Sequence, residues 1–360
     1  MAVIRGYRPD LDGMRAIGMV QVMAYHFEVR AFDGAAIYVD MFFALSGYLI
    51  TGLLIEERAK TGRVNLLAFY LRRAFRLLPA LLMLLTVGAT IFAFALPRPG
   101  RDHALVVGGL IAGLYVTNLA SYTHHTLWST YVWTWTLSME EQFYLLWPTV
   151  LRKITGSVKR TRAILFAVVI ASLLLAVLTA KGTPSPHSNA VLGYYQPQAH
   201  IFSLMIGCAA ALVETPRWFR HLAIPAFAGL LALGFLSPLR LDADYLRFNV
   251  PATAITTVVL MLALEHKPRG PVGAILGWKP IARIGIVSYA LYLYHPIVYP
   301  ILQAKVHHAH WVIVVASFAI TWAAAELSYV FYEAPIRRWG RDWLKRRYSP
   351  VAGDPTAAPA

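Results

Sequence analysis

The chain has 360 residues, of which 58% are hydrophobic and only 14% charged, with a net charge of +15. Soluble domains average about 25% charged residues, so a soluble globule and a disordered chain are excluded, and the single cysteine, Cys208, excludes a disulfide scaffold and disfavours a thiolate metal site. Such a composition points to a membrane-embedded, all-α protein, in which excess Lys and Arg first reports sidedness rather than nucleic-acid binding.

A spanning helix needs about 20 mostly apolar residues. Runs near this length lie at 14–30, 36–55, 78–96, 104–121, 133–151, 163–180, 198–213, 222–238, 249–265, 285–304 and 311–332. The first contains Gln21 and His26 and lacks a small-residue cleavage site after it, so it reads as a span and not as a cleaved signal. If Arg5, Arg8 and Arg15 are cytoplasmic, the second run returns EERAKTGR (56–63) to that side. The basic stretch RKITGSVKRTR (152–162) joins it only if one of the two preceding runs does not cross. The expected architecture is therefore a polytopic membrane protein with about ten transmembrane helices, plus one re-entrant or interfacial helix at 104–121. Both termini are expected in the cytoplasm, in a multi-pass protein of the plasma membrane, the inner membrane in a bacterium. The membrane domain is expected to cover 1–347, and 348–360, polar and rich in Pro and Ala, to be a disordered tail. There is no 20–50-residue repeat of the solenoid kind.

Ionisable residues inside spans are site candidates by default. Arg15 and His26 are eleven residues apart, about 20° beyond three full turns, so they share one helix face about 16 Å apart. Asp12 lies one turn before Arg15. The arrangement puts a cation at the cytoplasmic mouth and a proton-accepting imidazole at depth; the plainer reading is a snorkelling Arg and a packed His. In the second span Asp40 falls near the outer surface, and the Ser46–Gly47 pair suits close helix packing better than nucleophilic catalysis. Arg72, Arg73 and Arg76 can share one helical face. Their guanidinium forks suit phosphates, whether of a substrate or of lipid headgroups. In WTWTLSMEEQFYLLWP (133–148), Glu140 and Glu141 need partners or a water-filled cavity. Ser138 is a further candidate there, and Trp133, Trp135 and Trp147 read as an interfacial aromatic belt. Near the C-terminus, SYALYLYHPIVYP (288–300) carries Tyr292 and a mid-depth His295 before Pro296. Glu326 is expected to be buried, and Glu333, beside Arg337 and Arg338, to be an ion-pair anchor.

Together these segments resemble the acyltransferase 3 family of integral-membrane acyltransferases. The resemblance rests on Arg15-x10-His26, on FFALSGYLI (42–50) and on RRAFRLLP (72–79). It continues in WTLSMEEQFYLLWP (135–148), with Thr136 where Ser is common, in SYALYLYHPI (288–297), with Pro directly after His295, and in YEAPIRRW (332–339). It implies an acyl-CoA-dependent O-acyltransferase, transferring groups other than aminoacyl groups, with no permanently bound cofactor and no metal. Acyl-CoA, in the first instance acetyl-CoA, is the implied co-substrate. The implied acceptor is a hydroxyl of a carbohydrate or polyketide, such as an envelope polysaccharide or a macrolide. His26 is expected to act as general base, with Arg15 and Glu141 as catalytic partners. Arg72, Arg73 and Arg76 are expected on the CoA phosphates, and Asp12, Ser46, Ser138, Glu140, Tyr292 and His295 are further candidates. The chain reads as the stand-alone type, without the fused esterase-like domain of many relatives. Membrane lipid is an expected partner and nucleic acid is not. The competing class is a multi-span transporter of a small molecule or glycan precursor, which also places His and Glu at depth.

Overall fold

A computed structural model describes residues 6–95, 101–120, 131–154, 157–180, 194–237, 244–267, 269–306 and 309–348. Within them the chain is helical and no strand forms. The helices are α1 (Pro9–His26), α2 (Tyr38–Thr61), α3 (Leu66–Met83), α4 (Ala89–Ala95), α5 (Arg101–Gly113), α6 (Thr117–Ala120), α7 (Trp135–Ile154) and α8 (Val158–Thr179). They continue as α9 (Pro197–Ala210), α10 (Ala223–Leu236), α11 (Val250–Ala263), α12 (Gly270–Leu276), α13 (Lys279–Ile286), α14 (Ser288–Lys305), α15 (His310–Ser328) and α16 (Ala334–Tyr348). The tail expected at 348–360 lies outside the described residues, except for Tyr348, which ends α16.

Six stretches are long and apolar enough to cross a bilayer: Arg30–Thr61, Leu66–Ile91, Lys159–Thr179, Arg217–Leu236, Tyr245–Ala263 and His310–Tyr348. A seventh is counted if α13 and α14, bent by 69° at their junction, form one broken span. The chain is thus a multi-pass membrane protein, helical throughout its described residues. The number of crossings is not fixed at ten by length and apolarity, for two physical reasons. Helices α1 and α7 carry Asp10, Asp12 and Arg15, and Glu140 and Glu141, within their lengths, and α9 has only 14 residues. The expected re-entrant segment is divided into the 13-residue α5 and the short α6. At about 20 Å, α5 is too short to span alone.

Apolar side chains lie outside as well as inside. Phe94, Phe166, Leu178 and Leu236 are exposed, which in water would make an aggregating surface and in lipid is the ordinary one. Between helices the chain uses small residues, which let backbones approach. Helices α2 and α9 cross through reciprocal glycines: a Cβ on Gly47 would collide with the Leu204 carbonyl, and one on Gly207 with the Ala44 carbonyl. Helix α1 packs on α2, α12, α13 and α14. The helix with the Arg15–His26 face therefore runs inside the bundle. Helix α3 continues through Pro79 instead of beginning there.

Candidate active site

Helix α1 sends Leu11, Asp12, Arg15, Met19 and Val22 into a cavity of about 340 Å³. From Asp12 these positions recur every three or four residues, with Leu11 one turn before Arg15, and so form one stripe. Helix α2 adds Phe42, Phe43, Ser46 and Leu49, α3 adds Arg73 and Arg76, α7 adds Thr136, Glu140 and Tyr144, and α14 adds Tyr289 and Tyr292. From Leu11 to Val22 the wall formed by α1 is about 17 Å long. His26 is the next member of the stripe. It lines a second cavity, of about 840 Å³, with Tyr25, Glu28, Arg30, Asp33, His310 and Trp311. Arg15 and His26 thus share one helix face and stand at different cavities.

The His26 ring meets that of His295 edge to face, with centroids 4.8 Å apart. His295 is fully buried, and its Nδ1 lies 2.8 Å from the Tyr292 carbonyl and 3.1 Å from that of Leu291. His26 Nδ1 lies 2.9 Å from the Val22 carbonyl and 3.2 Å from His295 Nε2. A carbonyl oxygen only accepts, so each ring carries its proton on Nδ1. His295 Nε2 then turns its lone pair toward the His26 N–H, and the lone pair of His26 itself sits on Nε2. The pair fixes which nitrogen of His26 is basic. Tyr292 also lines the first cavity, its hydroxyl 2.6 Å from Thr136 Oγ1 and bonded to the Trp133 carbonyl.

The charged candidates are mostly paired. Arg15 donates to Asp12 at 2.9 Å, so the mouth of the cavity holds an ion pair. Ser46 Oγ donates to Glu140 Oε1 at 2.6 Å, on the cavity wall. Arg73 donates to Glu141 at 2.8 Å and lies 3.3 Å over the Tyr144 ring, which leaves it little capacity for an external phosphate. Arg72 pairs with Glu57 at 3.0 Å. Among the described residues no carboxylate pairs with Arg76, which lines both the main cavity and a neighbouring hollow beside α16. The three arginines therefore occupy three different environments. Ser138 is buried outside the cavity, accepting from the Thr117 N–H and donating to the Thr134 carbonyl.

Several expectations change in place. Trp135 and Trp147 are buried in the protein, and Trp147 donates to Thr51 at 2.8 Å; they are core residues and not an aromatic belt. Asp40, whatever its depth in the bilayer, is fully buried inside the protein with His200 at 2.9 Å and Ser203 at 2.6 Å. Glu326 is only partly buried, held by Arg283 at 2.5 Å, whereas Glu333 is buried and accepts from Ser328. Glu28 and Trp311 at the second cavity carry no sequence signal. Glu28 adopts a left-handed backbone, with φ of 58°, strained for a non-glycine residue, and its carboxylate accepts from Tyr299 at 3.0 Å. Among the described residues no three His, Cys, Asp or Glu side chains converge as ligands for a metal ion.

A family model described as an acyltransferase domain, that of acyltransferase 3, matches residues 8–332. The peptidoglycan O-acetyltransferase OatA of Listeria monocytogenes is 32% identical over 93% of this chain and 57% of its own length. The O-acetyltransferase OatA of Staphylococcus aureus is 30% identical over 93% of the chain and 58% of its own. The putative peptidoglycan O-acetyltransferase YrhL of Bacillus subtilis is 30% identical over 95% and 56%. The chain thus spans little more than half the length of these relatives. No solved structure matches. With the family model covering nearly all of the helical bundle and both cavities' α1 stripe, the chain belongs to the acyltransferase 3 family.

Proposed function

We propose that the protein moves an acyl group, acetyl in the first instance, from acyl-CoA to a hydroxyl of an envelope carbohydrate. On this reading the chain crosses the membrane ten times and keeps both termini in the cytoplasm. The donor enters the main cavity from the end that holds Arg8, Arg15 and Arg76, and the acceptor enters the cavity that holds His26. The observation that carries this reading is the position of His26, one turn past the inner end of the first cavity and on the wall of the second. Its Nε2 takes the proton of the acceptor hydroxyl as that oxygen attacks the thioester carbonyl. The C–S bond breaks, the thiolate leaves, and the imidazolium returns its proton to the sulfur. His295 and the Val22 carbonyl hold the ring in the tautomer this requires. The relatives' names favour a carbohydrate acceptor over a macrolide. A transporter gains no support from them.

His26→Ala tests the reading. The variant is expected to insert normally and to lose transfer of labelled acetyl from acetyl-CoA by about 100-fold or more, the range for a general base. Transfer at the wild-type rate would refute the role. Uptake of a solute into vesicles without acetyl-CoA, unaffected by the substitution, would favour the transporter.

A further inference from the structure

Beside the main cavity lies a second hollow of about 330 Å³, lined by Arg72, Phe75 and Arg76 of α3 and by Arg337, Arg338 and Arg341 of α16, among others. Five arginines line it and no Asp or Glu does. The α16 members lie at three- and four-residue spacing, one face of the helix. That face is pressed onto α3 by Gly340, where a Cβ would collide with the Phe75 ring, and by Trp339, whose ring meets Phe75 edge-on at 5.5 Å. Three carboxylates lie nearby and leave most of this charge unpaired: Glu333, buried on Ser328, feels Arg337 without a direct ion pair to it among the described residues. Glu57 takes only Arg72, and Asp342 lies 3.8 Å from Arg341 in an exposed pair, worth little. Like charges so confined repel, and guanidinium forks match the oxygens of phosphate groups. The hollow is therefore built for an anion with several phosphates. Because Arg76 lines both spaces, an anion seated here lies at the mouth of the main cavity.

We propose that Arg337, Arg338 and Arg341 of α16 join Arg72 and Arg76 of α3 to bind the phosphorylated nucleotide end of the donor thioester, while its uncharged arm passes Arg76 into the main cavity. This rests on the acyl-CoA reading above. It assigns the head of the donor to a site shared by α3 and α16, and it leaves Arg73 as a residue bound to Glu141 and not to substrate.

The same oxygens are offered by lipid headgroups, so the test separates the two sources. The full chain is reconstituted in phosphatidylcholine vesicles, and binding of acetyl-CoA and of acetyl-3′-dephospho-CoA is measured for the wild type, Arg338→Gln/Arg341→Gln and Arg338→Lys/Arg341→Lys. The wild type is expected to prefer the fully phosphorylated donor. The Gln pair is expected to weaken acetyl-CoA binding by about tenfold to a hundredfold, the worth of one or two charged hydrogen bonds, and to erase the preference; the Lys pair keeps part of both. Glutamine variants with wild-type affinity for both donors, but without the stabilisation that added phosphatidylglycerol gives the wild type, would assign the hollow to lipid and overturn the proposal. Wild-type protein that binds neither donor would overturn the acyl-CoA reading itself, and this inference with it.

Discussion

At the scale of residues, the base role proposed for His26 depends on where one proton sits. An imidazole free to choose its tautomer presents its lone pair at Nε2 only part of the time. Here the Val22 carbonyl and His295 Nε2 both favour a proton on His26 Nδ1, and the Leu291 and Tyr292 carbonyls set the tautomer of His295 in turn. Removing the second ring leaves the first its Val22 bond but frees it to tilt. His295→Leu is therefore expected to lower kcat on the order of tenfold to a hundredfold, the cost of about 1 Å of misplacement, with KM for acetyl-CoA unchanged. His295→Gln, whose amide oxygen can accept from His26 Nδ1, is expected to recover part of the loss. Steady-state kinetics on the two variants checks both; an unaffected kcat in the Leu variant would show that His295 only fills space.

At the scale of elements, the site is held by a few crossings that admit no side chain. Where α2 meets α9, Gly47 and Gly207 each face a backbone carbonyl of the other helix. A carbonyl cannot move aside like a flexible side chain, so the helices themselves must separate. Gly207→Val is expected to destabilise the folded protein by at least about 1–3 kcal/mol, the usual cost of overpacking, seen as a lowered Tm in detergent. Ser46, one residue from Gly47, would shift with it, and with it the bond to Glu140. Such crossings also set what the sequence can reveal. The Arg15–His26 face was legible because both residues lie on one helix, where spacing alone gives the angle. The all-helical, membrane-embedded class was legible in the composition. The pairing of His26 with His295, of Arg73 with Glu141 and of Asp40 with His200 was not, because each joins residues on different helices. Glu333 reads in the sequence as an ion-pair anchor beside Arg337 and Arg338 for the same reason: the contacts of Gly340 and Trp339 with Phe75 that bring α16 onto α3 join distant parts of the chain.

At the scale of the whole molecule, the two cavities lie toward opposite ends of α1, so the proposed direction of transfer depends on which end faces the cytoplasm. Excess positive charge favours the cytoplasmic side, and Arg58, Lys60 and Arg63 lie on the side assigned to the donor. The single cysteine permits a clean measurement. Cys208 is fully buried, so a cysteine introduced at an exposed position is the one labelled from water. Lys60, at the end of α2, and His310, at the start of α15 on the wall of the His26 cavity, are both exposed. In intact cells a membrane-impermeant maleimide is expected to label His310→Cys, and to reach Lys60→Cys only after permeabilisation. Labelling of both from outside would mean an even number of crossings between α2 and α15 and would break the ten-span threading. The reverse pattern would put His26 on the cytoplasmic side, where an envelope carbohydrate cannot meet it unless acylated before export.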